Sequence, residues 1–159
     1  MLKILSGGQT GVDRAVLDAA IANGIACGGW CPKGGWAEDV PQPPGLLALY
    51  PMLQETPLRD PVQRTEWNVR DSDALMVLLD HRGLSSGGTE RAILHAHELG
   101  RPVLVLDVTR AGDSDRAVTC LRESEGAKRT VCIAGPRESE APGIYKAARA
   151  FLCDVFGRL

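Results

Sequence analysis

The chain has 159 residues, enough for one domain with a real core and too few for two comfortable ones. Apolar residues make up 44% and charged residues 24%, and the formal net charge is −2 without a basic run or an acidic tail. That balance is ordinary for a globular domain and gives no reason to expect nucleic acid or a membrane surface as partner. No apolar stretch approaches the roughly 18 residues a membrane helix needs.

The first residues run straight from a short apolar segment into a glycine loop, without the apolar core and small-residue cleavage site of a signal peptide, so a cytoplasmic location is expected. Residues 2–5 read as a buried strand ending at glycines. A helix is expected from about Gly11 to Asn23, with Val12, Ala15, Val16, Ala19 and Ala20 at helical spacing and Gly24 as its stop. Ile25-Ala26-Cys27 reads as a second strand. Residues 28–46 are rich in Gly, Pro and Trp and read mostly as loop, a length usually kept for function. A strand is expected around Leu53 to Thr56.

Asp60-Pro61 has the pattern of an N-cap followed by proline at the first helical position, opening a helix to about Arg70. Residues 74–79 form a near-continuous apolar run, the clearest central strand of the chain. Gly87-Gly88 opens a helix that closes at Gly100; residues 103–107 form another buried strand, and a weaker helix follows near 113–123. Thr130 to Ala134 is the last strand. Ile144, Ala147, Ala148, Phe151, Leu152 and Val155 pattern the final helix.

This alternation implies an α/β fold, a Rossmann-like, doubly wound, mostly parallel sheet with helices on both faces, in a single ligand-binding domain spanning residues 1–159. Ligands in such folds sit at the carboxyl ends of the strands, near the switch in strand order. Every unusual segment of this chain follows a predicted strand.

The first such segment is Ser6, Gly7, Gly8, Gln9, Thr10 and Gly11. Glycines between a strand and a helix let backbone amides and a helix N-terminus meet an anion, and Ser6, Gln9 and Thr10 add side-chain donors. The spacing matches neither the dinucleotide fingerprint nor a triphosphate loop with Gly-Lys-Ser/Thr. The bland alternative is a tight strand–helix turn. Gly87, Gly88 and Thr89 form a second glycine-opened helix start, with Ser86 or Thr89 as an ordinary cap in the alternative reading. Trp30 and Trp36 with Lys33 suit stacking on a heterocycle and pairing with an anion, or else simply pin the loop. Arg64, Asn68 and Asp71 share one helix face at i, i+4 and i+7, able to close over the crevice or to face solvent. The loop after the last strand could present Arg137 or Glu138.

No catalytic set assembles from these residues: no nucleophile elbow exists, and no histidine is obviously paired with a Cys or Ser. Glu38, Asp39 and Glu90 remain acid–base candidates. Five cysteines, with only Cys27 and Cys31 close together, complete no metal site and read as reduced and structural.

The segments Ser6-Gly-Gly-Gln-Thr-Gly-Val-Asp-Arg14, Gly29-Trp-Cys-Pro-Lys33, Ala37-Glu-Asp39, Arg64-Thr-Glu-Trp-Asn-Val-Arg-Asp-Ser-Asp73, Gly87-Gly-Thr89 and Ala134-Gly-Pro-Arg-Glu-Ser139 together resemble the molybdenum-cofactor carrier family, over nearly the whole chain. That family is similar to the Rossmann-like lysine-decarboxylase-like phosphoribohydrolases. The resemblance implies binding of molybdenum cofactor (molybdopterin), a phosphate-bearing pyranopterin, for storage or hand-over to molybdoenzymes. It also implies a homo-oligomer, a dimer or tetramer. The phosphoribohydrolases carry Pro-Gly-Gly-x-Gly-Thr-x-x-Glu; the matching stretch here runs from Leu84 to Ala92, with Ala92 in place of the glutamate. Holding without catalysis is therefore expected, with nucleoside-monophosphate cleavage or nucleotide sensing as alternatives. Gly8→Asp is expected to abolish ligand binding and leave the fold largely intact.

Overall fold

The structure, a computed structural model, describes residues 1–83, 86–123 and 128–159; Leu84 and Ser85 of the phosphoribohydrolase-like stretch lie outside the described residues. Among the described residues, six strands and six helices follow in chain order: β1 (Leu2–Leu5), α1 (Val12–Ala22), β2 (Ala26–Cys31), α2 (Leu46–Leu49), β3 (Leu53–Glu55), α3 (Pro61–Arg70), β4 (Ala74–Leu79), α4 (Gly87–Glu98), β5 (Val103–Asp107), α5 (Asp113–Arg122), β6 (Arg129–Ala134) and α6 (Ile144–Gly157). The strands form one sheet in the order β3-β2-β1-β6-β4-β5, and every pairing is parallel. Alternating residues serve opposite faces, as the pleat requires. Ile4, Met76, Leu78, Val131 and Ile133 pack with residues of α1, α5 and α6, whereas Leu75, Val77, Leu79 and Cys132 pack with residues of α3 and α4. A smaller apolar cluster of Leu17, Cys31, Ala37, Leu46, Tyr50 and Leu53 seats α2 and β3 at the edge.

Two expectations change. The second strand continues through Gly28, Gly29 and Trp30 to Cys31, where the composition reads as loop. Gly29 belongs there because a Cβ on it would lie 2.2 Å from the Ser6 carbonyl oxygen, so only glycine lets β1 and β2 approach so closely. The short helix α2, with Leu46 fully buried, also interrupts the expected loop.

The helix signals act locally and hold. Asp60 caps α3 by accepting from the Val62 amide at 2.9 Å, with Pro61 in the first turn. The Ser86 hydroxyl caps α4 by accepting from the Thr89 amide at 3.3 Å.

Strand order puts β6 between β1 and β4. From β1 the chain winds outward through β2 to β3; from β4 it winds outward the other way to β5. Placed ahead of β1, the β6–α6 unit would start a doubly wound sheet at its centre. The switch in winding therefore lies at β6, and the carboxyl ends of β1, β6 and β4 open the crevice that this fold uses for ligands.

Candidate ligand site at the carboxyl end of the sheet

A cavity of about 250 Å³ occupies that crevice. Its walls are Gln9 and Asp13 from the first loop and α1, Asp60, Pro61, Val62, Arg64 and Thr65 from the start of α3, Ser86 to Thr89 with Arg91 and Ala92 from the start of α4, and Ala134, Gly135 and Arg137 from the end of β6 and the loop after it. Helices α3 and α4 both aim their N-termini at it. The amides of Gly87 and Gly88 occupy the first turn of α4, where no intrahelical carbonyl is available to them. Beside them Thr89 is 2% exposed, and its hydroxyl has no hydrogen-bond partner. The Arg64 Nε also lacks a partner. Buried polar atoms are normally paired, so two orphans on residues that line one cavity mark a place where a polar group belongs.

Charge at the base of the cavity is arranged by one ion pair. Arg64 Nη1 lies 2.9 Å from Asp13 Oδ2, with the side chains 12% and 6% exposed. Burial pushes the Asp13 carboxyl above the ordinary aspartate range, and the Arg64 guanidinium pulls against it. The guanidinium rests on Gly7: a Cβ there would fall 2.1 Å from Arg64 Nη1. Gly7 thus makes room for the pair. Cys132 lies beneath it beside a small void, and burial raises its thiol to about 12, which keeps it protonated.

Of the residues expected at the site from sequence, Gln9, Arg64, Gly87, Gly88 and Thr89 line this cavity. Gly7 lies under Arg64. Most of the others hold the scaffold. Ser6 is buried, with its hydroxyl donating to the Asp13 carbonyl at 3.1 Å. Gly8 takes φ +73° and faces Leu53, Leu46 and Leu17 at 3.0, 3.2 and 3.5 Å, away from the crevice. The expectation that Gly8→Asp spares the fold is thereby corrected: the carboxylate would enter an apolar cluster from a strained backbone. Gly11 packs on the loop after β6, 2.3 Å from the Pro136 carbonyl oxygen to where its Cβ would be, and that same carbonyl accepts from the Val12 amide. Lys33 is exposed and does not line the cavity. Asn68 holds the Trp30 backbone at both ends, accepting from its amide at 2.8 Å and donating to its carbonyl at 2.9 Å.

The rest of that helix face serves the same docking. Asp71 accepts from the Trp30 indole at 2.7 Å, and Trp67 meets Trp30 edge to face with centroids 4.8 Å apart. Glu38 and Asp39 form a latch instead of an acid–base pair. The Thr10 and Ser139 hydroxyls donate to the Glu38 carboxylate, and Gln9 accepts from the Glu38 amide at 3.0 Å. Arg14 grips Asp39 with two hydrogen bonds of 2.9 and 2.8 Å. Burial alone would raise the Glu38 carboxyl, but the hydrogen bonds from Thr10 and Ser139 outweigh it and hold the carboxyl below the ordinary glutamate value. The Arg14 fork lowers Asp39 likewise.

Asp60, Arg91 and Ala92 are cavity residues that sequence reasoning did not place in the ligand set, and Arg137 was named only as a loop residue. The signal for Asp60 and Arg91 was available, since each lies within a turn of a predicted helix start. Ala92 faces the cavity where the phosphoribohydrolase pattern has glutamate, and Glu90 is exposed and absent from its walls. Among the described residues, no three His, Cys, Asp or Glu side chains are grouped to hold a metal ion, and no helix is long and apolar enough to cross a membrane.

The chain is similar, with 40% identity, to the crystal structure of a "Putative molybdenum carrier protein" from Syntrophus aciditrophicus SB; the match covers 97% of this chain and 93% of that one, with a TM-score of 0.80. A search of curated proteins gave no match. The model of the circularly permutated YpsA SLOG family matches residues 4–156. The chain belongs to the circularly permutated YpsA SLOG family.

Proposed function

We propose that the crevice cavity binds the phosphate of molybdenum cofactor, a phosphate-bearing pyranopterin, and that the protein stores the cofactor or hands it over without transforming it. The buried, unpartnered Thr89 hydroxyl beside the open α4 amides carries this reading. A phosphate brings several strong acceptor oxygens, and a helix N-terminus supplies donors and favourable dipole for them. Among the charged residues of the wall, Asp13 is matched by Arg64, Arg91 pairs with Glu66 and Arg137 lies 3.8 Å from Glu140, so the α4 donors rather than a surplus of free cations favour an anion. The cavity is slightly smaller than the roughly 300–1,000 Å³ of typical ligand sites, so it suits the phosphate and its nearest ring, with the remainder at the rim. The carrier description of the Syntrophus aciditrophicus protein supports the choice of ligand.

Ala92 in the wall and the outward Glu90 favour holding over N-glycosidic cleavage, because no carboxylate stands where the resemblance would put one. A cytoplasmic homo-oligomer that passes its cargo to molybdoenzymes completes the reading. The test is protection. Purified protein mixed with freshly released cofactor slows its oxidation and retains it through gel filtration, and Thr89→Val weakens both effects. A protein that neither protects nor retains the cofactor refutes the proposal.

A further inference from the structure

One charged wall residue of the cavity has no role in the phosphate reading. Asp60 caps α3 with a single oxygen: Oδ1 accepts from the Val62 amide at 2.9 Å. No other hydrogen bond or ion pair to its side chain occurs among the described residues, so Oδ2 and the second lone pair of Oδ1 are available. This carboxylate stands on the α3 wall of the same cavity whose α4 wall holds Gly87, Gly88 and the orphan Thr89 hydroxyl. The cavity lining thus combines opposite chemistries: α4 contributes donors that suit an anion, while α3 contributes, beside the Arg64 guanidinium, the Asp60 carboxylate, an acceptor that disfavours an anion next to it.

A ligand that meets both the α4 donors and the Asp60 carboxylate must present acceptor oxygens to the first and N–H donors to the second. A carboxylate with two free acceptor positions is best matched by two adjacent N–H groups on one ring edge. The 2-amino-4-oxopyrimidine ring has such an edge, an amino group next to a ring N–H. Pterins and guanine share it. Adenine does not, since its corresponding edge places a ring acceptor beside its amino group.

Resting on the phosphate reading of the cavity above, we infer that Asp60 is a specificity-determining residue that selects phosphate-bearing ligands with a 2-amino-4-oxopyrimidine edge over those with an adenine edge. The residue sits at an exposed rim, where water competes, so the discrimination is that of one good bidentate pair, about tenfold.

Asn is a suitable probe because it caps helices as well as Asp, which keeps α3 in place. Its amide replaces one acceptor with a donor, so it opposes the guanine-type edge and accepts the adenine-type edge. The experiment titrates the whole protein with guanosine 5′-monophosphate, adenosine 5′-monophosphate and inorganic phosphate by calorimetry, for the native chain, Asp60→Asn and Thr89→Val. The native chain is expected to prefer the guanine nucleotide about tenfold, Asp60→Asn to abolish or reverse that preference with phosphate affinity kept, and Thr89→Val to weaken all three ligands alike. Equal binding of the two nucleotides, or a preference untouched by Asp60→Asn, overturns the role of Asp60 while the phosphate site stands. Failure of phosphate and both nucleotides to bind overturns the phosphate reading and this inference with it.

Discussion

Gly7→Ala isolates the ion pair that sets the charge of the cavity. The added methyl would lie 2.1 Å from Arg64 Nη1, 2.8 Å from Arg64 Cζ and 2.9 Å from Asp13 Oδ2. The first two atoms belong to the end of a flexible side chain, so the steric clash itself is relieved cheaply by swinging the guanidinium away. What cannot be relieved is the carboxylate left behind: Asp13 is 6% exposed, and Arg64 is its only ion-pair partner within 4 Å among the described residues. Separating a buried pair in this way costs about 3–5 kcal/mol. For a chain of this size that is a fall in Tm of roughly 6–20 °C.

The cost is electrostatic, which gives it two signatures. Burial already raises the Asp13 carboxyl, and loss of Arg64 raises it further, so the variant regains stability on acidification as Asp13 takes up a proton. In an Asp13→Asn background no carboxylate is stranded when the guanidinium moves, and Gly7→Ala should then cost about 1 kcal/mol or less. The assay is urea unfolding of the four proteins of this double-mutant cycle at pH 7 and pH 5. A loss of equal size in both backgrounds and at both pH values would refute the reasoning and assign the cost to packing alone.

Thr89→Val should weaken inorganic phosphate by about tenfold and leave stability unchanged or raise it by up to about 1 kcal/mol, since it removes a buried hydroxyl that has no partner; a large loss of Tm would show that the hydroxyl is bonded within the protein. Gly8→Asp should abolish cooperative unfolding or solubility outright, because the carboxylate enters the Leu17, Leu46 and Leu53 cluster from φ +73°; a native-like Tm with selective loss of ligand would restore the first expectation for this loop. The Glu38 and Asp39 carboxyls are both held low, so their contribution is complete above the ordinary carboxylate range of about 4 and is lost as pH falls through their lower folded values. Glu38→Gln with Asp39→Asn should therefore flatten the decline of the urea midpoint below about pH 4.5, and an unaltered acid slope would place that decline elsewhere.

The order of elements was legible from the sequence because its signals are local. A cap such as Asp60-Pro61, a stop such as Gly100 and an apolar run such as residues 74–79 depend on neighbours within a turn or along one strand. Opening of α4 at Gly87, a glycine pair aimed at the crevice, was legible for the same reason. Tertiary structure decided what the glycines and polar residues are for. The passage of β2 through Gly29 depends on the Ser6 carbonyl just beyond β1, which no window of sequence contains. Gln9 reaches the cavity while its neighbours Gly8 and Thr10 turn to Leu53 and to Glu38, because the loop after β6, more than a hundred residues away, lies across the start of α1. Arg64 and Asn68 share a helix face, yet one meets Asp13 at the cavity and the other the backbone of β2. A helix face is set by a period of 3.6 residues, whereas the partners it meets are set by strand order, and strand order is a property of the whole chain.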